Sequence, residues 1–213
     1  MTNRRRIAIA SHRRTLHVTC LALIALGLAA PSAHAQPSAA SAACPSQPLA
    51  QVFSRFADLA YYALVPGGTF ERPAAWDLSG AVRVRGNETF YLNGADHRWS
   101  LSLLSGTSAT SPDICVGVEH PVIRFVASNT GSTQSRLRVE VLFRDVSGTS
   151  RSALIGELLG GPEWAPTARL PLVVNGLALS SGGQAFIKLR LTATGSGGDW
   201  RIDGVHVDPY RKG

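Results

Sequence analysis

The sequence lacks the short motifs that identify most enzymes. Its 213 residues contain no Gly-x-Ser-x-Gly elbow, no His-Glu-x-x-His pair and no phosphate-binding glycine loop. The hydrolases, metallopeptidases and nucleotide-binding enzymes that carry these motifs are therefore excluded. Cysteine is scarce as well, with three residues and no Cys-x-x-Cys pair, so no cysteine motif for zinc is present. These absences favour a protein without catalytic activity.

Histidine offers little to a catalytic site either. Beyond residue 35 the histidines are His97, His120 and His206. His97 follows Asp96 and His120 follows Glu119, but neighbours on a strand point to opposite faces, so neither pair forms an acid-base couple by itself. We predict no catalytic residue, and a hydrolase with an unrecognised site is kept as an alternative.

Residues 1–35 have the pattern of a secretion signal. The first 18 residues are basic and lack acids, residues 20–30 are an apolar run too short to span a bilayer comfortably, and Ala33 to Ala35 supply an Ala-x-Ala cleavage site. We predict cleavage and a secreted or cell-envelope location, with an uncleaved anchor as the alternative. The pairs Arg4-Arg5 and Arg13-Arg14 would also suit a twin-arginine route, so the choice of export pathway stays open.

Removal of this leader changes the charge of the chain. The full sequence carries a formal charge of +7, but five arginines and no acid lie within residues 1–35, so +2 remains. The basic character of the whole chain is thus no argument for nucleic-acid binding, and we predict no nucleic-acid partner. The oligomeric state is not readable from the sequence.

Cys44 and Cys115 are the cysteines that lie beyond the leader. In an oxidising compartment two cysteines most simply form a disulfide, and metal binding is the less favoured use of the pair. Residues 36–51 are rich in Ala, Ser, Pro and Gln, which predicts a linker or arm pinned at Cys44. The remaining residues, 52–213, are predicted to form one domain.

Short apolar runs in this domain alternate with polar residues. Apolar and polar positions alternate in "HRWSLSLL" (97–104), "VIRFVAS" (122–128), "RLRVEVLF" (136–143) and "AFIKLRLTA" (185–193), and turn residues separate the runs. Strands with one buried face and one wet face are typical of antiparallel sheets. We therefore predict an all-β fold, an antiparallel β-sandwich.

The final stretch, "GGDWRIDGVHVDPYRKG", breaks this alternation. Trp200 and Ile202 share one parity, whereas Val205 and Val207 share the other. A β-bulge at Asp203-Gly204 would switch the face and let all four side chains be buried. A hairpin turn at the same Asp-Gly is the alternative.

Two stretches of the chain resemble a known family. "LVPGGTFERPAAWDLSG" (64–80) is similar to the opening, and "WRIDGVHV" (200–207) to the closing strand, of carbohydrate-binding jelly-roll domains of the galactose-binding-like fold. "RGNETFYL" (85–92) is similar to the same framework in exported bacterial proteins. The resemblance covers roughly residues 64–210. It implies a jelly-roll sandwich that binds carbohydrate.

The same resemblance implies a structural calcium ion. Its relatives bind calcium through the opening Glu and the closing Asp, which correspond to Glu71 and Asp203, with carbonyl oxygens around Gly68 as helpers. The alternative is that the two carboxylates make salt bridges or turn hydrogen bonds with nearby Arg72 or Arg201.

Candidate ligand residues come from the tryptophans and the basic strand positions. Parity places Trp99 and Trp200 in the core, and Trp76 is expected to pack near the domain entrance, which leaves Trp164 as the exposed ring for a sugar, or as a plug over the end of the sandwich. Five basic residues fall on predicted outer strand faces: Arg124, Arg136, Arg138, Lys188 and Arg190. If they lie on the same sheet, they would form a cationic surface for acidic polymers. The alternative is an ordinary solvated strand face.

From these features we predict an exported, non-catalytic module that binds a carbohydrate or cell-wall polymer. The ligand residues are predicted to be Trp164, Arg138 and Arg190. A structural envelope protein without a small ligand is the alternative of a different class.

Overall fold

Short β-strands make up most of the described chain. The computed structural model describes residues 44–208, apart from 73–74, 118–120, 173–176, 178 and 180–182, so the predicted leader and residues 36–43 of the arm lie outside it. The strands are β1 (Leu49–Ala50), β2 (Tyr62–Leu64), β3 (Asp77–Ser79), β4 (Val82–Arg85), β5 (Trp99–Leu104), β6 (Ser108–Thr110), β7 (Ile114–Gly117), β8 (Val122–Asn129), β9 (Arg136–Arg144), β10 (Ser150–Leu158), β11 (Ala165–Pro166), β12 (Leu170–Pro171), β13 (Gln184–Thr194) and β14 (Asp199–Asp208), with a 3₁₀ turn at Ser54–Phe56. Within these ranges no helical segment has the length and apolar character of a membrane span.

The strands form two antiparallel sheets. The first sheet has the order β1-β2-β14-β5-β4, and β8 pairs with β14 and with the short strands β11 and β12. The second sheet has the order β10-β9-β13-β6-β3, with β7 paired to β13. Neighbours in both orders are often distant in sequence, as in a jelly roll. The predicted antiparallel β-sandwich of jelly-roll type is confirmed.

The core lies between the sheets and follows the predicted alternation. On β13 every second residue is buried, since strand side chains alternate between faces, and on β9 the core face buries Leu137, Val139 and Val141. Eleven apolar side chains of the predicted runs belong to this core and are no more than 2% exposed: Leu101, Leu103, Ile123, Phe125, Leu137, Val139, Val141, Ile187, Leu189, Leu191 and Ala193. The tryptophans follow less evenly, because Trp200 is 1% exposed and Trp76 is buried, whereas Trp99 is only half-buried. Trp99 begins β5 at the rim of the sandwich, where the Arg83 guanidinium lies 3.7 Å from its ring centroid.

The predicted bulge in the last strand is confirmed. The register of β14 against β8 shifts between Asp203 and His206, and Gly204 adopts a φ of 58°, which favours glycine. As a result Ile202 and Val205 are both fully buried in the core. Asp203 and His206, each of which follows one of them in the chain, are hydrogen-bonded to Glu88 and Asn93, respectively.

The predicted disulfide between Cys44 and Cys115 is present. It joins the arm to β7, and two further contacts hold the arm there. The Cys44 N–H donates to Gln184 Oε1 at 2.8 Å, and Gln47 Nε2 donates to the Cys115 carbonyl at 3.3 Å. Leu49–Ala50, within the predicted arm, pair with β2 as β1, so this end of the arm is part of the first sheet.

Candidate functional site

A groove opens on the outer face of the second sheet. It has a volume of about 850 Å³ and lies over β9, β10 and β13, with Asp113 at one side. We call it the outer groove. Side chains whose parity directs them away from the core form its surface: Leu142, Arg144, Ser150, Ser152, Phe186, Lys188 and Arg190.

Strand register sets the arrangement of these side chains. Leu142 on β9 lies opposite Lys188 on β13 and opposite Ser152 on β10. Arg144 lies opposite Ser150, one step further along the same pair of strands. Directly paired side chains lie about 5 Å apart, and those two residues along a strand lie about 7 Å apart. The surface is therefore built on strands, which hold side chains more rigidly than loops do.

Phe186 lies at one end of the outer groove. Its side chain is 44% exposed, and its cross-strand partner on β7 is Cys115. A second cleft of about 460 Å³ also has Phe186 and Asp113 in its wall. The arm residues 45–48 also line this cleft, which we call the arm cleft, together with Ala63, Leu64, Pro66, Ile114 and Cys115. Gln47, in its wall, has a buried Oε1 atom with no hydrogen-bond partner among the described residues.

Glu140 brings together two of the predicted ligand residues. Its carboxylate is only 9% exposed and accepts hydrogen bonds from Arg190 Nε at 3.0 Å and from Arg138 Nη2 at 3.4 Å. Arg138 and Arg190 therefore lie on one outer face, as the predicted cationic surface requires. A single carboxylate between two guanidinium groups leaves one positive charge uncompensated.

The other cations of the outer groove have weaker acidic partners. Lys188 Nζ is 4.0 Å from Asp113 Oδ1, and both side chains are about half exposed, at 48% and 64%. Arg144 donates from Nη1 to the Gly148 carbonyl at 3.0 Å, and no carboxylate of the described residues lies within ion-pair distance of it. Exposed or unpaired cations of this kind are free to bind an anionic ligand.

Trp164 is not part of this surface. It immediately precedes β11, which pairs with β8 in the first sheet, and it packs against a small cluster that contains Phe53 and Val126. Trp164 is half-buried there, as the plug alternative describes. The structure thus separates Trp164 from Arg138 and Arg190, and a ligand role for its ring stays a prediction.

Arg124 is also separate from the other predicted basic residues. It lies on β8 in the first sheet and forms an ion pair with the buried Asp58. Asp58 also accepts hydrogen bonds from Arg169 at 2.7 Å and from the Tyr62 hydroxyl at 2.8 Å. Burial alone would raise the pKa of Asp58, but the bonds from Tyr62, the Ala60 N–H and Arg124 lower it on balance. This network is consistent with a structural role, because its carboxylate is satisfied on both oxygens.

Asp203 and Glu71, the predicted calcium ligands, lie close enough for the charge of Glu71 to act on Asp203. Asp203 is 2% exposed, and it accepts hydrogen bonds from the Gly204 N–H at 2.7 Å and the Glu88 N–H at 3.2 Å. Burial, followed by the negative charges of Glu88 and Glu71, raises the pKa of Asp203 to about 7. Glu71 uses one carboxylate oxygen to accept the N–H groups of Arg98 and Trp99, both at 2.8 Å.

These oxygens do not, as they stand, make a calcium cage. Calcium takes about six to eight oxygen ligands, and no group of three or more His, Cys, Asp or Glu in the described ranges is placed to hold a metal. The Gly68 carbonyl already accepts the Val205 N–H at 3.0 Å. The carbonyls of Phe70 and Glu71 accept hydrogen bonds from Arg83. Both carboxylates bond to backbone N–H groups of residues other than Arg72 and Arg201, the partners named in the alternative, and calcium stays a prediction.

Phe186 and Arg144 are two of the groove residues that were not predicted from the sequence. Phe186 could have been predicted, because on β13 it lies on the same face as Lys188 and Arg190 and not on the face of the buried Ile187. An aromatic side chain on the polar face of an alternating strand is the signal that identifies it. Arg144 has no comparable signal, since it ends its strand beside a turn.

No family model matches the sequence, and no curated protein matches it. Similar solved structures include the xylan-binding domain CBM22-1 of Paenibacillus barcinonensis Xyn10C, with 12% identity over 66% of this chain and 90% of that chain and a TM-score of 0.45. The C-terminal family 22 carbohydrate-binding module of Clostridium thermocellum Xyn10B has 16% identity over 66% and 90%, with a TM-score of 0.44. The family 11 module of Clostridium thermocellum Lic26A-Cel5E has 12% identity over 68% and 93%, with a TM-score of 0.40.

These neighbours are carbohydrate-binding modules, the class that the sequence resemblance named. At these TM-scores they carry no conclusion about the ligand of this chain.

Proposed function

We propose that this chain is an exported, non-catalytic module that binds polysaccharide in the outer groove. The observation that carries the proposal is the groove itself, an open depression of about 850 Å³ that ends at the exposed ring of Phe186. The face of an aromatic ring matches the apolar face of a pyranose, and nearby polar groups fix the sugar hydroxyls.

The polar groups around Phe186 suit sugar hydroxyls. Ser150 and Ser152 present hydroxyls from β10, and Arg190 is held by its bond to Glu140. A guanidinium fixed in this way donates hydrogen bonds in a defined direction at a small entropic cost. The arm cleft, which shares Phe186, extends the available surface beyond the sheet.

The composition of the lining supports binding over hydrolysis. Glycosidases use a pair of carboxyl groups on either side of the scissile bond. Of the described residues, Asp113 is the single carboxylate in the wall of the outer groove, and it is exposed beside Lys188. The groove therefore has the aromatic and polar groups of a sugar site without a matched acid pair.

The test is a binding screen of residues 36–213 against soluble plant and bacterial polysaccharides, with two variants compared. Phe186→Ala removes the groove ring, and Trp164→Ala removes the ring selected from the sequence on the opposite sheet. We expect Phe186→Ala to weaken binding about 10-fold, equivalent to about 1.4 kcal/mol, and Trp164→Ala to leave the affinity unchanged.

Two other outcomes are informative. Loss of binding in Trp164→Ala alone would overturn the outer groove as the site and support the sequence hypothesis. An absence of binding to every polysaccharide would favour the structural envelope protein. Phe186 is 44% exposed, so its truncation is expected to leave the fold intact, and a thermal melt checks this.

A further inference from the structure

We propose that the outer groove selects acidic polysaccharides, whose sugars carry carboxylate groups, over neutral ones. This inference rests on the proposed function and adds the chemical class of the ligand. It depends on the charges of the groove, whereas the proposal above depends on its shape and its aromatic ring.

The charge on the outer face is predominantly positive. Five charged side chains line the groove, four basic and one acidic: Arg144, Arg151, Lys188, Arg190 and Asp113. With the ion-pair partners Glu140 and Asp145, and with Arg138, which shares Glu140, five positive charges stand against three negative ones, an excess of two. Over all described residues the excess is one, from 14 Arg and Lys against 13 Asp and Glu. The positive charge is thus concentrated at the groove rather than spread over the molecule.

Two of these cations, Arg144 and Lys188, are available to a ligand. Arg144 bonds to a backbone carbonyl, at 3.0 Å from Gly148, and not to a carboxylate. Lys188 lies at 4.0 Å from an exposed Asp113, and such solvent-exposed pairs contribute little. A ligand carboxylate can therefore bind Lys188 or Arg144 without breaking a strong ion pair.

The guanidinium group of Arg190 is held in a fixed position. Glu140 is buried and bonds to Arg190 on one side and Arg138 on the other. This shared carboxylate orients both guanidinium groups but neutralises only one of them. A planar guanidinium in a fixed orientation recognises a carboxylate through paired hydrogen bonds.

The cations of the outer groove are spaced closely enough for one extended ligand to contact several of them. Lys188 and Arg190 are two residues apart on β13, about 7 Å along the strand, and Arg144 lies diagonally across from Lys188 at about 8 Å. An extended polyanion that crosses the groove meets more than one cation, so its carboxylates bind together. A neutral chain makes the contacts with Phe186 and the serines and gains nothing from these charges.

The test compares acidic polysaccharides with their own carboxyl-reduced forms. Polygalacturonate, alginate and a glucuronoxylan are each reduced to the neutral polymer with the same linkages, and binding is measured by calorimetry in the presence of a chelator. We expect at least one acidic form to bind about 10-fold more tightly than its reduced counterpart, and this preference to shrink as salt rises.

Charge variants locate the preference. Arg144→Gln combined with Lys188→Gln is expected to bring the acidic and reduced forms to similar affinities. Arg136→Gln is the matched control, because Arg136 lies on the same strand and also bonds to backbone carbonyls, at 3.1 Å from Thr133 and 3.2 Å from Ser135, but does not line the groove. We expect the control to keep the preference.

The failures of the two proposals are distinguishable. Binding to a polysaccharide with no preference for any acidic form would overturn the acidic selectivity and leave the polysaccharide-binding function in place. A preference that survives in the double variant and disappears in Arg136→Gln would place the acidic site outside the outer groove and overturn the inference. No binding to any form, acidic or neutral, would overturn both.

Discussion

Two buried ionisable groups on β14 are expected to oppose each other in the pH dependence of stability. Asp203 is 2% exposed and His206 is 1% exposed, three residues apart on either side of the bulge. Burial and the charges of Glu88 and Glu71 raise the pKa of Asp203 to about 7. Burial lowers the pKa of His206 to about 4, and a bond to the Gly204 carbonyl opposes that shift. In the folded state Asp203 therefore has a higher pKa than His206, whereas in the unfolded chain a histidine has a higher pKa than an aspartate.

The signs follow from proton linkage. Between about pH 4 and pH 7 the folded state keeps a proton on Asp203 that the unfolded state has lost, so the free energy of unfolding falls as pH rises. Over about pH 4 to 6.5 the unfolded state binds a proton at His206 that the folded state excludes, so the same free energy rises with pH. Below pH 6.5 the two contributions nearly cancel in the wild type.

The magnitude comes from the size of each pKa shift. One pKa unit corresponds to about 1.4 kcal/mol, so Asp203 contributes a fall of about 4 kcal/mol and His206 a rise of about 3 kcal/mol across their windows. Asp203→Asn removes the first contribution and keeps the second. The variant loses some stability at every pH because an amide replaces a carboxylate that accepts two N–H groups, but this loss does not depend on pH.

The assay is urea unfolding at half-unit steps from pH 4 to pH 7.5, followed by tryptophan fluorescence in the presence of a chelator. In Asp203→Asn the free energy of unfolding is expected to rise by about 3 kcal/mol from pH 4 to pH 7, whereas the wild type changes by about 1 kcal/mol in the opposite direction. Subtracting the two curves removes the groups that they share. Parallel curves would refute the reasoning, since Asp203 would then titrate alike in the folded and unfolded chains.

Two further outcomes are expected, one for the Asp58 network and one for the predicted calcium ligands. Asp58→Ala leaves Arg124 buried without its carboxylate partner and is expected to lower the free energy of unfolding by about 3 to 5 kcal/mol, measured in urea at neutral pH. A loss below about 1 kcal/mol would mean that the network is screened like a surface ion pair. The calcium prediction requires that millimolar calcium raise the melting temperature of the wild type and not that of Asp203→Asn, and an unchanged wild-type melting temperature would rule it out.

Period-2 alternation was enough to find the long strands and the break in the last one. The parities of β9 and β13 and the conflict between Ile202 and Val205 are local properties, so they are legible in the sequence. The disulfide could also be predicted without a structure, because only two cysteines lie beyond the leader.

The order of the strands in the two sheets could not be predicted from the sequence, and the position of the candidate site depends on that order. Arg124 and Arg138 have the same sequence pattern, yet they lie on different sheets, because strand pairing joins residues far apart in the chain. The buried Asp58 is equally hidden, since its partners Arg124 and Arg169 lie 66 and 111 residues away. Trp164 was chosen as a ring in a loop, and only the sheet order places it opposite the groove.

The disulfide makes the proposed binding surface depend on where the protein is made. Cys115 lies opposite Phe186 on the neighbouring strand, and Cys44 anchors the arm that forms one wall of the arm cleft. In a reducing cytoplasm the arm would be held by a few hydrogen bonds and the two-residue strand β1 alone. Recombinant protein from reducing and oxidising hosts would then share one sequence and one charged groove, but only the oxidised material would keep the apolar wall beside it intact.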